Sequence, residues 1–174
     1  MATTTRWQGF VMTGDGWIEV SLPTQRLRLL TADNRELASY VVSTATNGPG
    51  ELTGSECTPR GWHRIRAKIG AGAPCGAVFV GRRQTGEICT PQLVAANPRR
   101  DWILTRLLWL SGTEVGHNRL GRVDTMRRYI YIHGAPQQIP MGVPGSHGCV
   151  RMRNADVIDL FDRVAVGTPV HIAG

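Results

Sequence analysis

The chain has 174 residues, 41% of them hydrophobic and 19% charged, a composition that excludes a disordered chain and leaves room for one core burying roughly 70% of the unfolded surface. The net charge is +7, carried by nineteen arginines and the single Lys68, and guanidinium suits bidentate recognition of carboxylate or phosphate. No apolar run reaches the ~18 residues of a spanning helix, and the 21 glycines and 10 prolines favour a mostly β body rich in turns over a helical bundle.

The first twenty residues lack a basic start followed by an apolar stretch, so no secretory leader is expected and the chain reads as cytoplasmic, or as periplasmic if an export segment has been removed. Residues 17–30 alternate in two short stretches broken by Pro23, which predicts two strands joined at a turn. A strand follows at 40–45, and 46–61, dense in turn formers, predicts an exposed loop. Residues 62–69 alternate strictly. His63, Ile65, Ala67 and Ile69 are expected on one face, with Trp62, Arg64, Arg66 and Lys68 on the other, so His63 reads as a core residue.

Residues 77–80 and 102–110 supply further extended runs. At 127–134, RRYIYIHG, alternation puts Tyr129, Tyr131 and His133 on one face and the core anchors Ile130 and Ile132 on the other, so that His133 projects from a more polar face at the strand end. From Asn154, read as an N-cap, the pattern becomes helical, with Val157, Ile158, Leu160, Phe161 and Val164 on one side until Gly167 and Pro169 stop it. Residues 169–172 close the chain as a strand, with His171 structural. Nothing divides residues 1–174 into more than one domain.

Four cysteines, Cys57, Cys75, Cys89 and Cys149, show no C-x-x-C spacing, and the only close His/Cys pair is His147 with Cys149, so no metal site and no cofactor is expected. Cys149 lies in PGSHGCVRM, 144–152. A thiol there is a nucleophile, a ligand or an inert buried group. The loop 135–148 is rich enough in proline and glycine to wrap the strand end and bring Cys149 within hydrogen-bond range of His133, which would lower the thiol pKa. Gly148 would let a substrate carbonyl approach, and the amides of His147, Gly148 and Cys149 would be the oxyanion donors.

The string HGAPQQIPMGVPGSHGCVRM, 133–152, resembles the active-site signature of the L,D-transpeptidase family, the YkuD-type catalytic domain. TPRGWHRI, RRYIYIHG and the closing helix with GTPVHI are similar to the same family's scaffold. The resemblance implies a β-sandwich or barrel-like domain with a short helix after the catalytic cysteine. It implies Cys149 as nucleophile, His133 as base and the Gly134 carbonyl as the group that orients the imidazole, with Ser146 and His147 shaping the pocket and gripping substrate. Many members carry asparagine where this chain has Arg151, which would either hold a substrate carboxylate or brace the turn. Tyr129 and Tyr131 would line the cleft or simply pack.

The resemblance further implies attack on the L,D bond between meso-diaminopimelate and D-alanine of a peptidoglycan tetrapeptide or soluble muropeptide, leaving a thioester. Water as acceptor would make the protein an L,D-carboxypeptidase, the outcome expected from the cytoplasmic reading; an amine would make it an L,D-transpeptidase. A non-catalytic peptidoglycan-binding module is the other class. Scattered arginines argue against nucleic acid as a partner, and the oligomeric state is not readable.

Overall fold

Ten strands join one mixed sheet whose two ends meet. The computed structural model describes residues 16–174, together with the backbone of β1 (Arg6–Trp7) and β2 (Phe10–Val11), which pair antiparallel. The reading of the first twenty residues therefore falls mostly outside the described residues. The strands of the large sheet are β3 (Trp17–Ser21), β4 (Arg26–Leu30), β5 (Glu36–Val41), β6 (Gly61–Ile69), β7 (Ala77–Val80), β8 (Arg83–Ile88), β9 (Ile103–Gly112), β10 (Tyr131–Gly134), β11 (Val150–Met152) and β12 (Pro169–Ala173). Among the described residues two α-helices, α1 (Pro91–Ala96) and α2 (Asn154–Arg163), and a short 3-10 turn at Gly121–Val123 accompany the sheet.

The strand order is β11, β10, β9, β6, β12, β3, β4, β5, with the β7/β8 hairpin attached to β9. Beyond β5 the chain reaches β11, where Ser43 and Arg151 exchange backbone hydrogen bonds of 2.9 and 2.8 Å. That bridge closes the sheet into a barrel-like body and occupies the outer edge of β11 at Arg151. The mostly β expectation and the helix after Cys149 both hold. Among the described residues no helix is long and apolar enough to cross a membrane.

One face of the sheet packs on α2. Val157, Leu160, Phe161 and Val164 meet Ile65, Leu108, Leu110, Ile132, Val150 and Met152 in the main core. The other face carries Leu107, Tyr131 and Cys149 and is covered by Ala73, Ala77 and Phe79 from the segment that leads into the β7/β8 hairpin. Asn154 is the first helical residue rather than the cap: its Oδ1 accepts from Thr105 Oγ1 at 2.7 Å, and Arg153 stands at the cap without capping the helix, its guanidinium donating instead to Gln137 O and Ile139 O. At the other end of α2, Lys68 Nζ donates to Val164 O at 2.7 Å, where a cation suits unpaired carbonyls.

The strict alternation expected for β6 fails at Arg66. The register skips there, so Ile65 pairs with Leu110 but Ala67 pairs with Trp109. One extra residue reverses every side chain beyond it. His63 and Ile65 therefore face α2, while Ile69 joins the opposite cluster and Lys68 reaches α2. Two further expectations change. The strand read at 127–134 begins only at Tyr131, because Tyr129 adopts a left-handed φ of 55° in a turn. The loop 46–61 is not exposed throughout: Thr58 is fully buried beneath the Cys149 turn. Strand β8 and helix α1 were not anticipated.

His63 is fully buried, its Nδ1 3.0 Å from Gly61 O and its Nε2 3.0 Å from Thr125 Oγ1. Burial pulls its pKa down from 6.5 to about 4. The folded protein thus keeps His63 neutral while the unfolded chain protonates it, so its contribution is present above pH 6.5 and is lost as pH falls toward 4, to a limit of roughly 3 kcal/mol. His63→Gln is expected to melt lower at neutral pH yet to show a shallower fall in melting temperature between pH 7 and pH 4; circular dichroism melts across that range check it.

Candidate active site

His133 is the last residue but one of β10, just before a register shift against β9, on the same face as Tyr131. Its Nδ1 lies 2.7 Å from Gly134 O. A carbonyl only accepts, so Nδ1 carries the proton and Nε2 keeps the basic lone pair. The ring is fully buried, Nε2 has no hydrogen-bond partner, and burial holds the pKa below the usual histidine value. Gly134 must be glycine: a Cβ there would strike Asn154 Oδ1 and lie 2.7 Å from Leu104 O. Next to it Thr105, at a left-handed φ of 74°, accepts from Gly76 N at 2.9 Å and donates to Asn154, so bulge, loop and helix start lock together behind the histidine.

Cys149 sits one position before β11. Because β11 runs parallel to β10 with Arg151 opposite His133, the thiol falls beside Tyr131 rather than beside the imidazole. It accepts from Tyr131 N–H at 3.3 Å and donates to Tyr129 O at 3.5 Å. The expected thiol–imidazole hydrogen bond is therefore absent, and so is its effect on the thiol. Packed with Tyr131 and Phe79, the thiol is pushed up to about 12 by burial, against smaller contrary effects from the Tyr131 amide and from Arg151 and Arg128. The resting pair is a neutral thiol and a neutral imidazole on one sheet face.

This state predicts slow alkylation. In a variant lacking Cys57, Cys75 and Cys89, iodoacetamide is expected to react with Cys149 far more slowly at pH 7 than with a free thiol, and the rate is expected to keep rising about tenfold per pH unit beyond pH 9, where an ordinary thiol of pKa about 8.5 has levelled off. A plateau near neutral pH would show instead an imidazole-activated thiolate.

The turn before Cys149 is held from below. Ser146 is buried; its Oγ donates to Cys149 O at 2.6 Å and accepts from Gly148 N–H at 3.1 Å. The Gly148 amide is thus occupied, leaving the amides of His147 and Cys149 as the free donors of the three named from sequence. Gly148 has a φ of +129°, and a Cβ there would press Ile130 Cδ1 at 3.1 Å and Cys57 O at 3.2 Å. Thr58 Oγ1 donates to Gly148 O at 2.9 Å, and Arg128 donates to Cys57 O at 2.6 Å and to Gly50 and Glu51 carbonyls. His147 is exposed at the rim.

Arg151 braces the turn: it donates to Gly145 O at 2.8 Å and pairs with Asp101 at 2.9 Å, its side chain only 10% exposed. Tyr131 is buried, with its hydroxyl accepting from Arg82 at 3.2 Å, whereas Tyr129 is 54% exposed. Thr58, Arg128, Asp101 and Arg82 were missed from sequence. For Thr58 a signal existed, since it opens the TPRGWHRI stretch. All four cysteines are free thiols.

The YkuD family, described as the L,D-transpeptidase catalytic domain, matches residues 15–172. "Probable L,D-transpeptidase ErfK/SrfK" of Salmonella typhimurium is 32% identical over 117 residues, covering 66% of this chain and 32% of that protein. "Probable L,D-transpeptidase YbiS" of Escherichia coli is 49% identical over 43 residues, 25% of this chain and 14% of that protein. The matches thus span a third or less of these relatives' own lengths. Among solved structures, an L,D-transpeptidase from Mycobacterium smegmatis superposes with a TM-score of 0.55 at 17% identity, covering 96% of this chain and 64% of the other. L,D-transpeptidase 3 from Mycobacterium tuberculosis, in complex with a faropenem-derived adduct, does so with a TM-score of 0.56 at 14% identity, over 92% and 60%. These two show the fold.

Proposed function

Since the chain belongs to the YkuD family of L,D-transpeptidase catalytic domains, we propose that it is a cysteine acyl-transfer enzyme of peptidoglycan stems, with Cys149 as nucleophile and His133 as base. The observation that carries this reading is the buried, partnerless Nε2 of His133, its tautomer set by Gly134 O, on the sheet face that also bears Cys149. Ser43 Oγ, Arg106 Nε and Ser111 Oγ are also buried without a partner, so it is the fixed tautomer and the shared face with Cys149, together with the open lone pair, that single out His133. Substrate entry supplies what the resting pair lacks: displacing the thiol from the two tyrosine backbones lets Nε2 take its proton as Sγ attacks the acyl carbonyl. The His147 and Cys149 amides receive the oxyanion, and the protonated imidazole returns its proton to the departing D-alanine amine, leaving a thioester.

The relatives' names support an amine as acceptor, and water, the acceptor expected from sequence, is the other outcome of the same assay. Incubation with a disaccharide tetrapeptide and a free D-amino acid, read by mass spectrometry, separates them. Exchanged tetrapeptide marks transfer, tripeptide marks hydrolysis, and unchanged substrate with no adduct on Cys149 sinks both in favour of a binding module.

A further inference from the structure

Trp109 stands at the centre of a basic strip on the face that carries Cys149. It pairs with Tyr131 of β10 and Ala67 of β6, and two residues further Ser111 pairs with Arg64. Residues two apart in a strand share a face, so Tyr131, Trp109, Ser111 and Arg64 form one surface, with Cys149 packed at its Tyr131 end. Two guanidinium groups lie on the Trp109 ring. Arg82, from the tight turn between β7 and β8, is 4.4 Å from the ring centroid; Arg66, at the β6 bulge, is 5.5 Å from it. Arg82 also lies 5.2 Å from the Tyr129 ring. Further along, Arg64, Arg66 and Arg119 line a cleft of about 120 Å³ with Ser111 and Asp124.

None of these four arginines has an acidic partner among the described residues, a state they share with Arg26, Arg128 and others; what sets them apart is that they gather around Trp109 and the adjoining cleft. The one carboxylate in the cleft, Asp124, accepts from the Leu120 and Arg127 amides at 2.7 and 3.0 Å. Stacking on an indole holds a guanidinium in place while its N–H edge can bind an anion; Arg82 gives one N–H to the Tyr131 hydroxyl and keeps its others for a ligand. Gathered cations beside a nucleophile repel one another and gain from a shared anionic ligand.

We propose that this strip seats the carboxylates of the substrate: a peptide stem whose acyl carbonyl lies at Cys149 runs over Trp109, with Arg82 and Arg66 taking its carboxylates and Arg64 and Arg119 extending the seat. The assignment rests on the acyl-transfer reading and adds to it the ligand class, a peptide with free carboxylates rather than its amidated form.

Calorimetric titration of the Cys149→Ala protein with a disaccharide tetrapeptide, as free acid and as carboxamide, tests it. The acid is expected to bind about tenfold more tightly, the value of one charge-assisted contact, with a preference that shrinks at high salt. Arg66→Gln, an exposed change that leaves the hairpin alone, is expected to cut the preference severalfold, and Arg66→Gln with Arg82→Gln to abolish it. Arg26→Gln, on the remote β4, should leave it unchanged. Equal binding of acid and amide, a preference that survives in the double variant, or binding of neither ligand overturns the seat. Acylation of the unsubstituted protein, followed separately by mass, decides the reaction alone: a protein that prefers acid through Arg66 and Arg82 but forms no thioester keeps the seat and loses the chemistry.

Discussion

Cys149→Ala is expected to lower turnover of a tetrapeptide stem by roughly 10⁴-fold or more while the protein stays folded, because the thiol is the group that forms the acyl intermediate. The structural cost is small. Removing one sulfur from the edge of the Phe79 and Tyr131 cluster forfeits about 1 kcal/mol, and the turn keeps the Ser146, Thr58 and Arg151 braces, none of which uses the thiol. Cys57, Cys75 and Cys89 are not hydrogen-bonded to the His133 ring, so replacing each by alanine should leave most activity. Intact-protein mass after incubation with substrate gives the check: an acyl adduct on the parent protein and none on the alanine variant. A Cys149→Ala protein that still turns over, or loss of activity on replacing one of the other three, removes the assignment.

His133→Gln is expected to lose about 10²- to 10⁴-fold in acylation rate, because glutamine can still donate to Gly134 O but cannot take the thiol proton. The structural signature accompanies it. Burial lowers the imidazole pKa, so the acid limb of kcat/KM should lie below pH 6.5, the ordinary histidine value, and should disappear in the glutamine variant. His63→Gln is the contrast, since that ring faces Thr125 on the α2 side of β6 and lies outside the site. It should shift stability and leave the rate per folded molecule nearly intact. Equal rate losses at His63 and His133 would show that both act through the fold.

The side-chain arrangement explains why the pair is not linked at rest. Parallel pairing fixes which residues stand side by side, and Arg151 occupies the place opposite His133 that the nucleophile would need for direct contact. Arg151 in turn uses its guanidinium on Gly145 and Asp101, so the same register that displaces the thiol also stiffens the turn presenting it.

Local patterns in the sequence determined a good deal. Pro23 between two alternating stretches marked the β3–β4 hairpin, and the apolar repeat after Asn154 marked α2. Glycine and proline around Ser146 marked a turn that has to be tight, and the match of 133–152 to a known signature singled out Cys149 and His133 together. These signals are short in range, written in periodicity and turn chemistry. What only the tertiary structure decided depends on pairing between distant segments. The skipped register at Arg66 reverses the outer half of β6, yet nothing in WHRIRAKI announces it, because a bulge is fixed by the partner strand. Thr58 looks like part of an open loop until Gly148, 90 residues later, folds onto it. The thiol's high pKa belongs to the same class: Cys149 is flanked by His147 and Arg151 in the chain, but the Phe79 and Tyr131 cluster brought over it by the β7/β8 segment sets its environment, and desolvation is a property of what is packed nearby rather than of what is adjacent in sequence.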